Sequence, residues 1–295
     1  MLGYDTIAEL VAGAESRGCT IGELALRDQA EAMEQPELEL FEKMELDYMV
    51  MEKSVAEGMR EDRRSMSGLT GGEGRRMARY AEQGGGLLGP QVSRAVSRAL
   101  AAACCNASMG RIVAAPTAGS CGILPACLVT MHEDRGVPLE RIVMAMFTAG
   151  AVGMVIAKKA GVAGAQGGCQ VECGSAAAMA AAALTELNGG TPRQCADACA
   201  IALVNQMGLV CDPVAGLVEI PCIKRNAAGA MIAFSAADMA LAGIPAYIPA
   251  DECIEAMRKV GDALPDTLKE TALGGLAATP TGLKLREQVF GRPGA

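Results

Sequence analysis

The chain has 295 residues, of which 51% are hydrophobic and only 3% aromatic, and it carries twelve cysteines, one histidine and no tryptophan. This length and hydrophobic fraction are enough for a sizeable globular core, in which small residues pack closely and methionine fills gaps. The net charge of -8 argues against nucleic acid as a partner.

The N-terminus carries acidic residues early, at Asp5 and Glu9, and lacks the basic and apolar regions of an export signal. We therefore expect a cytoplasmic protein, in which cysteines stay reduced and either bind metal or pack in the core. The longest apolar stretch, 142–157, is short for a bilayer. It predicts a buried helix, so we expect no membrane as a partner.

The first 60 residues predict an acidic helical segment. Two stretches, 6–9 and 20–23, have the Ser/Thr-x-x-Glu spacing of a capping box, and each should begin a helix. The second helix should break at Pro36 and continue towards Gly58. We interpret the excess of acidic residues here as a solvated helix face.

Residues 60–79 are rich in arginine and glycine and predict a functional loop or a linker. From residue 90 onward, apolar segments of helical length are separated by glycine and proline. The predicted helices cover 90–108, 122–133, 138–158, 175–187, 191–207, 225–242 and 251–263. Because no convincing alternating strand is found, we predict a mainly α fold, a single globular multi-helix domain with buried Ala/Gly-rich helices.

The cysteines differ in their local sequence. Five lie within Ala-rich helical runs and should be buried core residues, namely Cys104, Cys105, Cys127, Cys195 and Cys199. Cys169, Cys211 and Cys222 instead adjoin glycine or proline, where the backbone can turn their sulfurs towards a common point. A zinc site is constrained by the single histidine, whereas an iron–sulfur cluster needs only thiolates. The residues alone leave both a cluster and plain packing open.

Three segments resemble the signature segments of iron–sulfur L-serine dehydratases. They read PTAGSCGILP at 116–125, GCQVECG at 168–174 and CDPVAGLVEIPCIKRN at 211–226. The resemblance extends from about Ser67 to the C-terminus, and three long segments in order are more specific than one short motif. It implies a catalytic alpha domain over 61–295, continuous with the helical segment at 1–60.

By this resemblance, Cys169, Cys211 and Cys222 hold three irons of a 4Fe-4S cluster. The fourth iron then binds the hydroxyl of L-serine as a Lewis acid. Loss of the α-proton and of water gives aminoacrylate, which becomes pyruvate and ammonia, a reaction of amino-acid catabolism that feeds gluconeogenesis. Cys173, four residues after Cys169, is the alternative ligand.

The resemblance also suggests residues that bind substrate. Two hydroxyl-rich turns supply most of them: Ser67, Thr70 and Gly71 in the first, and Thr117, Gly119 and Ser120 in the second. From the residues alone, a helix cap is the better interpretation of the second turn, and the resemblance reverses this. Gln170 and Glu172 either orient substrate, support the cluster or lie on the surface.

Arg225 and Asn226 follow the third cysteine and would bind the substrate carboxylate, although Arg225 also fits a structural ion pair. His132, the single histidine, fits a helix end better than a catalytic base. The base is therefore not assigned to any residue.

Single-chain members of this family carry a fused β domain, and we find no such segment here. The resemblance therefore implies a separate beta subunit, with a higher oligomer left open. Three alternative functions remain: an iron–sulfur lyase acting on threonine or cysteine, a pyridoxal-phosphate dehydratase with a phosphate loop at 84–89, and a non-catalytic redox module. The second alternative would need alternating strands and helices, and the third a fully ligated cluster.

Overall fold

A computed structural model describes residues 3–291 and has thirteen α-helices and no β-strand within that range. The mainly α class is therefore confirmed. The first seven helices are α1 (Ile7–Arg17), α2 (Ile21–Met33), α3 (Glu37–Gly58), α4 (Glu73–Glu82), α5 (Gly89–Ala107), α6 (Ile123–Arg135) and α7 (Leu139–Ala160). The remaining six are α8 (Gly164–Gly167), α9 (Ser175–Leu187), α10 (Pro192–Gln206), α11 (Cys222–Leu241), α12 (Ala250–Ala263) and α13 (Pro280–Phe290).

The helix starts follow local signals where those signals exist. Thr6 and Thr20 each form a complete capping box with a glutamate three residues on, and Thr191 does the same with Gln194. Helix α3 begins directly after Pro36. The capping boxes and the break at Pro36 are therefore confirmed.

The segment 60–79 is only partly a loop. Helix α4 occupies its second half, so the prediction of a loop or linker holds only before Glu73. This helix has no side-chain cap at Gly72, and the sequence lacks the usual start signal for that reason. The C-terminal α13 was also missed, although Thr279 caps it.

Small residues let the helices approach closely. The alanine-rich α9 is buried along its length and packs against α7, α10 and α11. A Cβ on Gly58 of α3 would lie only 1.8 Å from the carbonyl oxygen of Ala101 in α5. Because a real Cβ cannot come so close, this crossing requires glycine.

Helices α1 to α3 belong to the same core as the rest of the chain, to which they contribute Leu10, Leu24 and Met51. The boundary near residue 60 stays a prediction. Helix α7 is apolar and long enough to cross a membrane, yet 67% of its most apolar window is buried inside the protein. That burial agrees with the predicted core helix at 142–157.

Candidate active site

The structure brings together the three cysteines that the sequence analysis singled out. Cys169 precedes a single π-helical turn (Gln170–Gly174) that leads into α9, Cys211 lies in an extended stretch after α10, and Cys222 is the first residue of α11. All three are buried. The charges of Cys169 and Cys222 both act on Cys211, so the three thiols are electrostatic neighbours.

The backbone around Cys169 is held by its neighbours. Gly168 has a positive φ of 76°, and a Cβ there would lie 2.9 Å from the carbonyl oxygen of Leu209, so the turn requires glycine. Gln170 donates to the carbonyl oxygens of Gly167 and Met257 and accepts from the N–H of Gly208. Gln170 is fully buried, so the surface interpretation of this residue is wrong. Its contact with substrate stays a prediction.

A fourth thiol lies beside the first. Cys173 is fully buried, and its Sγ is 3.4 Å from the Sγ of Cys169. This hydrogen bond, aided by the nearby guanidinium of Arg225, lowers the pKa of Cys169 in spite of burial. The same hydrogen bond and burial raise the pKa of Cys173 well above its ordinary value. Cys169 is therefore the thiol of this pair that ionises more readily.

Burial keeps the other two thiols, those of Cys211 and Cys222, from ionising readily. It raises the pKa of Cys222 to about 12 and that of Cys211 well above its ordinary value. These thiols would ionise only beside a strong cation such as a bound metal, which deprotonates a coordinating thiol.

Arg225 connects the cysteines to the polypeptide around them. Its guanidinium forms an ion pair with Asp212 at 2.8 Å and donates to the carbonyl oxygen of Val210. Its positive charge also acts on Cys169. The structural ion pair considered for Arg225 is therefore present, and binding of the substrate carboxylate stays a prediction.

The second hydroxyl-rich turn lies against the cysteines. Thr117 Oγ1 donates to Glu172 Oε1 at 2.9 Å, and Glu172 Oε2 is 3.7 Å from Cys211 Sγ. Burial raises the pKa of Glu172, while the hydrogen bond from Thr117 opposes the shift. Ser120 is buried, and its side chain caps the turn together with that of Thr117. The turn is thus a cap and also a wall of the site.

Asn226 fixes this turn from the side of α11. Its Nδ2 donates to the carbonyl oxygen of Gly119 at 2.7 Å, and its Oδ1 accepts from the N–H of Gly122 at 2.7 Å. Asn226 is almost fully buried. It therefore joins the helix that begins with Cys222 to the turn that holds Glu172.

The first hydroxyl-rich turn has a different partner. The hydroxyls of Ser67 and Thr70 both donate to Glu219 Oε2, at 2.9 and 2.7 Å. Gly71, at a φ of 141°, follows them and donates its N–H to Glu73. The sequence analysis missed Glu219, although it lies inside the third signature segment. The signal that could have identified it is a single acidic residue within the apolar stretch 213–221.

His132 lies outside this site. Its Nδ1 is 2.8 Å from the carbonyl oxygen of Val137, and its ring packs edge-on against Tyr48. Within residues 3–291, no three His, Cys, Asp or Glu side chains surround one position for a single metal ion. An iron–sulfur cluster sets a different requirement, because each iron takes its own cysteine.

Comparison with known proteins places this arrangement in a family. The model of serine dehydratase alpha chains matches residues 16–277, which include every site residue described above. The chain belongs to this family.

Members of the serine dehydratase alpha-chain family align over nearly the whole chain. The probable L-serine dehydratase alpha chain of Bacillus subtilis (strain 168) is 47% identical, over 98% of this chain and 96% of its own length. The L-serine dehydratase alpha chain of Peptoniphilus asaccharolyticus is 42% identical, over 96% and 97%. An L-serine dehydratase of Escherichia coli (strain K12) is 47% identical over 58% of this chain, which is 38% of its own length.

Proposed function

We propose that this chain is the catalytic alpha subunit of an L-serine ammonia-lyase that carries a 4Fe-4S cluster. The observation that carries the proposal is the juxtaposition of three buried thiols, Cys169, Cys211 and Cys222, in a member of the serine dehydratase alpha-chain family. The described residues form no strands, which argues against the pyridoxal-phosphate alternative.

The donor set fits the proposed cluster. The three cysteines would hold it, with Cys173 as a neighbouring thiol that packs against Cys169. When bound, the cluster supplies a Lewis acid that makes the β-hydroxyl of serine a better leaving group. The positive charge of Arg225 would stabilise the Cys169 thiolate, as groups beyond the ligands tune such centres.

The protein itself orients serine and shields it from water. The turn at 117–120 forms one wall, held by Asn226 and by the hydrogen bond from Thr117 to Glu172. Because these side chains are fixed by buried hydrogen bonds, the substrate meets a preorganised surface. Once the α-proton and water are lost, free aminoacrylate tautomerises and hydrolyses to pyruvate and ammonia.

Anaerobic purification, iron and sulfide analysis, and a pyruvate assay with serine, threonine and cysteine test this proposal together. We expect iron, sulfide and preferential turnover of serine. Sensitivity to carbonyl reagents without bound iron would support a pyridoxal-phosphate enzyme instead. A stable cluster without turnover, in the presence of the beta subunit, would support a redox module.

The proposal extends to setting and partner. Thiols that must stay reduced fit the cytoplasm, and the alpha-chain name of the family fits a separate beta subunit. Both are proposals that the same preparation can address by fractionation and co-purification.

A further inference from the structure

Glu219 is a buried carboxylate without a cationic partner. Glu219 is only 5% exposed. Its Oε2 accepts a hydrogen bond from each of the hydroxyls of Ser67 and Thr70. Within residues 3–291, its other oxygen, Oε1, has no hydrogen bond and is not among the fully enclosed unpaired side-chain atoms, so it remains open to a ligand. No lysine or arginine among these residues forms an ion pair with Glu219. Neutral hydroxyls do not balance a buried negative charge, which normally requires a cation.

Glu219 lies next to the candidate active site. It lies three residues before Cys222, and its carbonyl oxygen accepts from the N–H of Ile223 in the first turn of α11. A Cβ built on Gly119 would meet both Val218 and Glu172, at 3.7 and 3.3 Å, so the residue next to Glu219 lies against the turn beside Cys211.

Glu219, Ser67 and Thr70 thus form a small polar group, here called the carboxylate triad. From this geometry we infer that the carboxylate triad is the subsite for the α-ammonium group of an amino-acid substrate. The inference rests on the proposed function and deepens it. An ammonium group has three donors, which Oε1 of Glu219 and the hydroxyl oxygen of Thr70 can accept. Ser67 Oγ already accepts from the N–H of Leu69 and pairs with Ser65 Oγ, so it fixes the carboxylate instead. The substrate carboxylate does not bind here, because Glu219 would repel it.

Binding of an ammonium group at the carboxylate triad would distinguish amino acids from hydroxy acids by charge. An α-hydroxy acid such as glycerate has the shape of serine but presents a neutral hydroxyl in place of the ammonium. The triad should therefore prefer serine over glycerate through charge. Removing the charge should weaken serine binding and leave glycerate binding nearly unchanged.

The test uses the iron-loaded enzyme with its beta subunit and the variant Glu219→Gln, with Glu31→Gln as a control that removes one exposed, remote carboxylate. We expect the KM for serine to rise on the order of 10- to 100-fold in Glu219→Gln, the loss of one charge-assisted hydrogen bond. The inhibition constant of glycerate should change little. Glu31→Gln should match the parent in both constants.

If Glu219 only holds its own segment against the turn of Ser67 and Thr70, Glu219→Gln should raise the KM for serine and the inhibition constant of glycerate together. That result would overturn the inference. An unchanged KM for serine at normal iron content would also overturn it. If Glu219→Gln fails to fold, Glu219→Asp keeps the charge at a shorter reach; it should raise the KM and keep the preference for serine over glycerate. An equal loss of affinity for serine and for glycerate in Glu219→Asp would contradict the ammonium subsite. A parent enzyme that makes no pyruvate from serine would instead refute the proposed function.

Discussion

The cysteines of this protein have the same chemistry but different surroundings. Cys169 and Cys222 lie where helical segments begin and Cys211 lies in the extended stretch after α10, and the charges of the three act on one another. Cys195 lies within α10 and is buried among apolar residues. Burial alone therefore does not distinguish a proposed ligand from a core residue, whereas the proximity of the three thiols to one another does.

Replacing each proposed ligand by serine should remove the cluster. We expect Cys169→Ser, Cys211→Ser and Cys222→Ser to lose bound iron, sulfide and visible absorption, with activity falling by more than about 100-fold, since even outer-shell changes cost 10–100-fold. Cys195→Ser is the matched control and should keep iron, because it exchanges one small buried side chain for another. Loss of the cluster in Cys173→Ser but not in Cys222→Ser would show that the ligand assignment is wrong.

A half-buried carboxylate also links three helices. Glu186 of α9 accepts from the N–H groups of Ile21 and Gly22, at the start of α2, and from Thr148. Burial raises the pKa of Glu186. Because the folded pKa lies above the unfolded value, the stabilisation is complete below the unfolded pKa of about 4.3 and is lost as the pH rises through the folded pKa.

The variant Glu186→Gln cannot ionise and should remove this pH dependence. We compare the free energies of unfolding of the parent and of Glu186→Gln. The parent value minus the variant value should decrease as the pH rises from about 4 to about 8, by roughly 1.4 kcal/mol for each unit of pKa shift. Urea unfolding at several pH values measures it. A difference that rises with pH would contradict the raised pKa.

At the level of elements, the helices cross through glycine. Gly58→Ala should push α3 away from α5, since its Cβ would meet the carbonyl oxygen of Ala101, and should destabilise the protein by about 1–3 kcal/mol. Gly150→Ala in α7 is the control, because a Cβ there meets nothing within 4 Å. It should stabilise by about 0.5–1 kcal/mol, the helix preference of alanine. Shifts of the urea midpoint of unfolding in opposite directions would confirm both effects. A lower midpoint in both variants would contradict the packing argument.

The elements that the sequence predicts are those whose signals are local. The capping boxes at Thr6 and Thr20 connect residues three positions apart, and both were correct. Helix α4 has no side-chain cap and was missed. The bonds from Ser67 and Thr70 to Glu219 join positions 152 and 149 residues apart. Only the folded chain shows such contacts. The motifs therefore indicated the segments of the candidate site, whereas the hydrogen bonds between these segments could not be predicted.

At the scale of the whole molecule, the family relationship bears on assembly. The relatives aligned over almost their whole length are named alpha chains, whereas the Escherichia coli relative has 38% of its length in the alignment. The longer relative thus carries further sequence on the same chain. The alpha-chain names of the other two relatives fit the beta subunit proposed above.

The isolated, iron-loaded chain should therefore be weakly active with serine and should gain activity when a beta subunit is added. The reason is the family relationship, because the relatives that align over nearly their whole length are named alpha chains. Pyruvate formation at a fixed amount of this chain should rise with added beta subunit and level off at a fixed ratio, and light scattering should show a complex of the same ratio. Heat-denatured beta subunit is the control and should have no effect. Full turnover by the pure single chain, unchanged by the beta subunit, would refute the partner proposal.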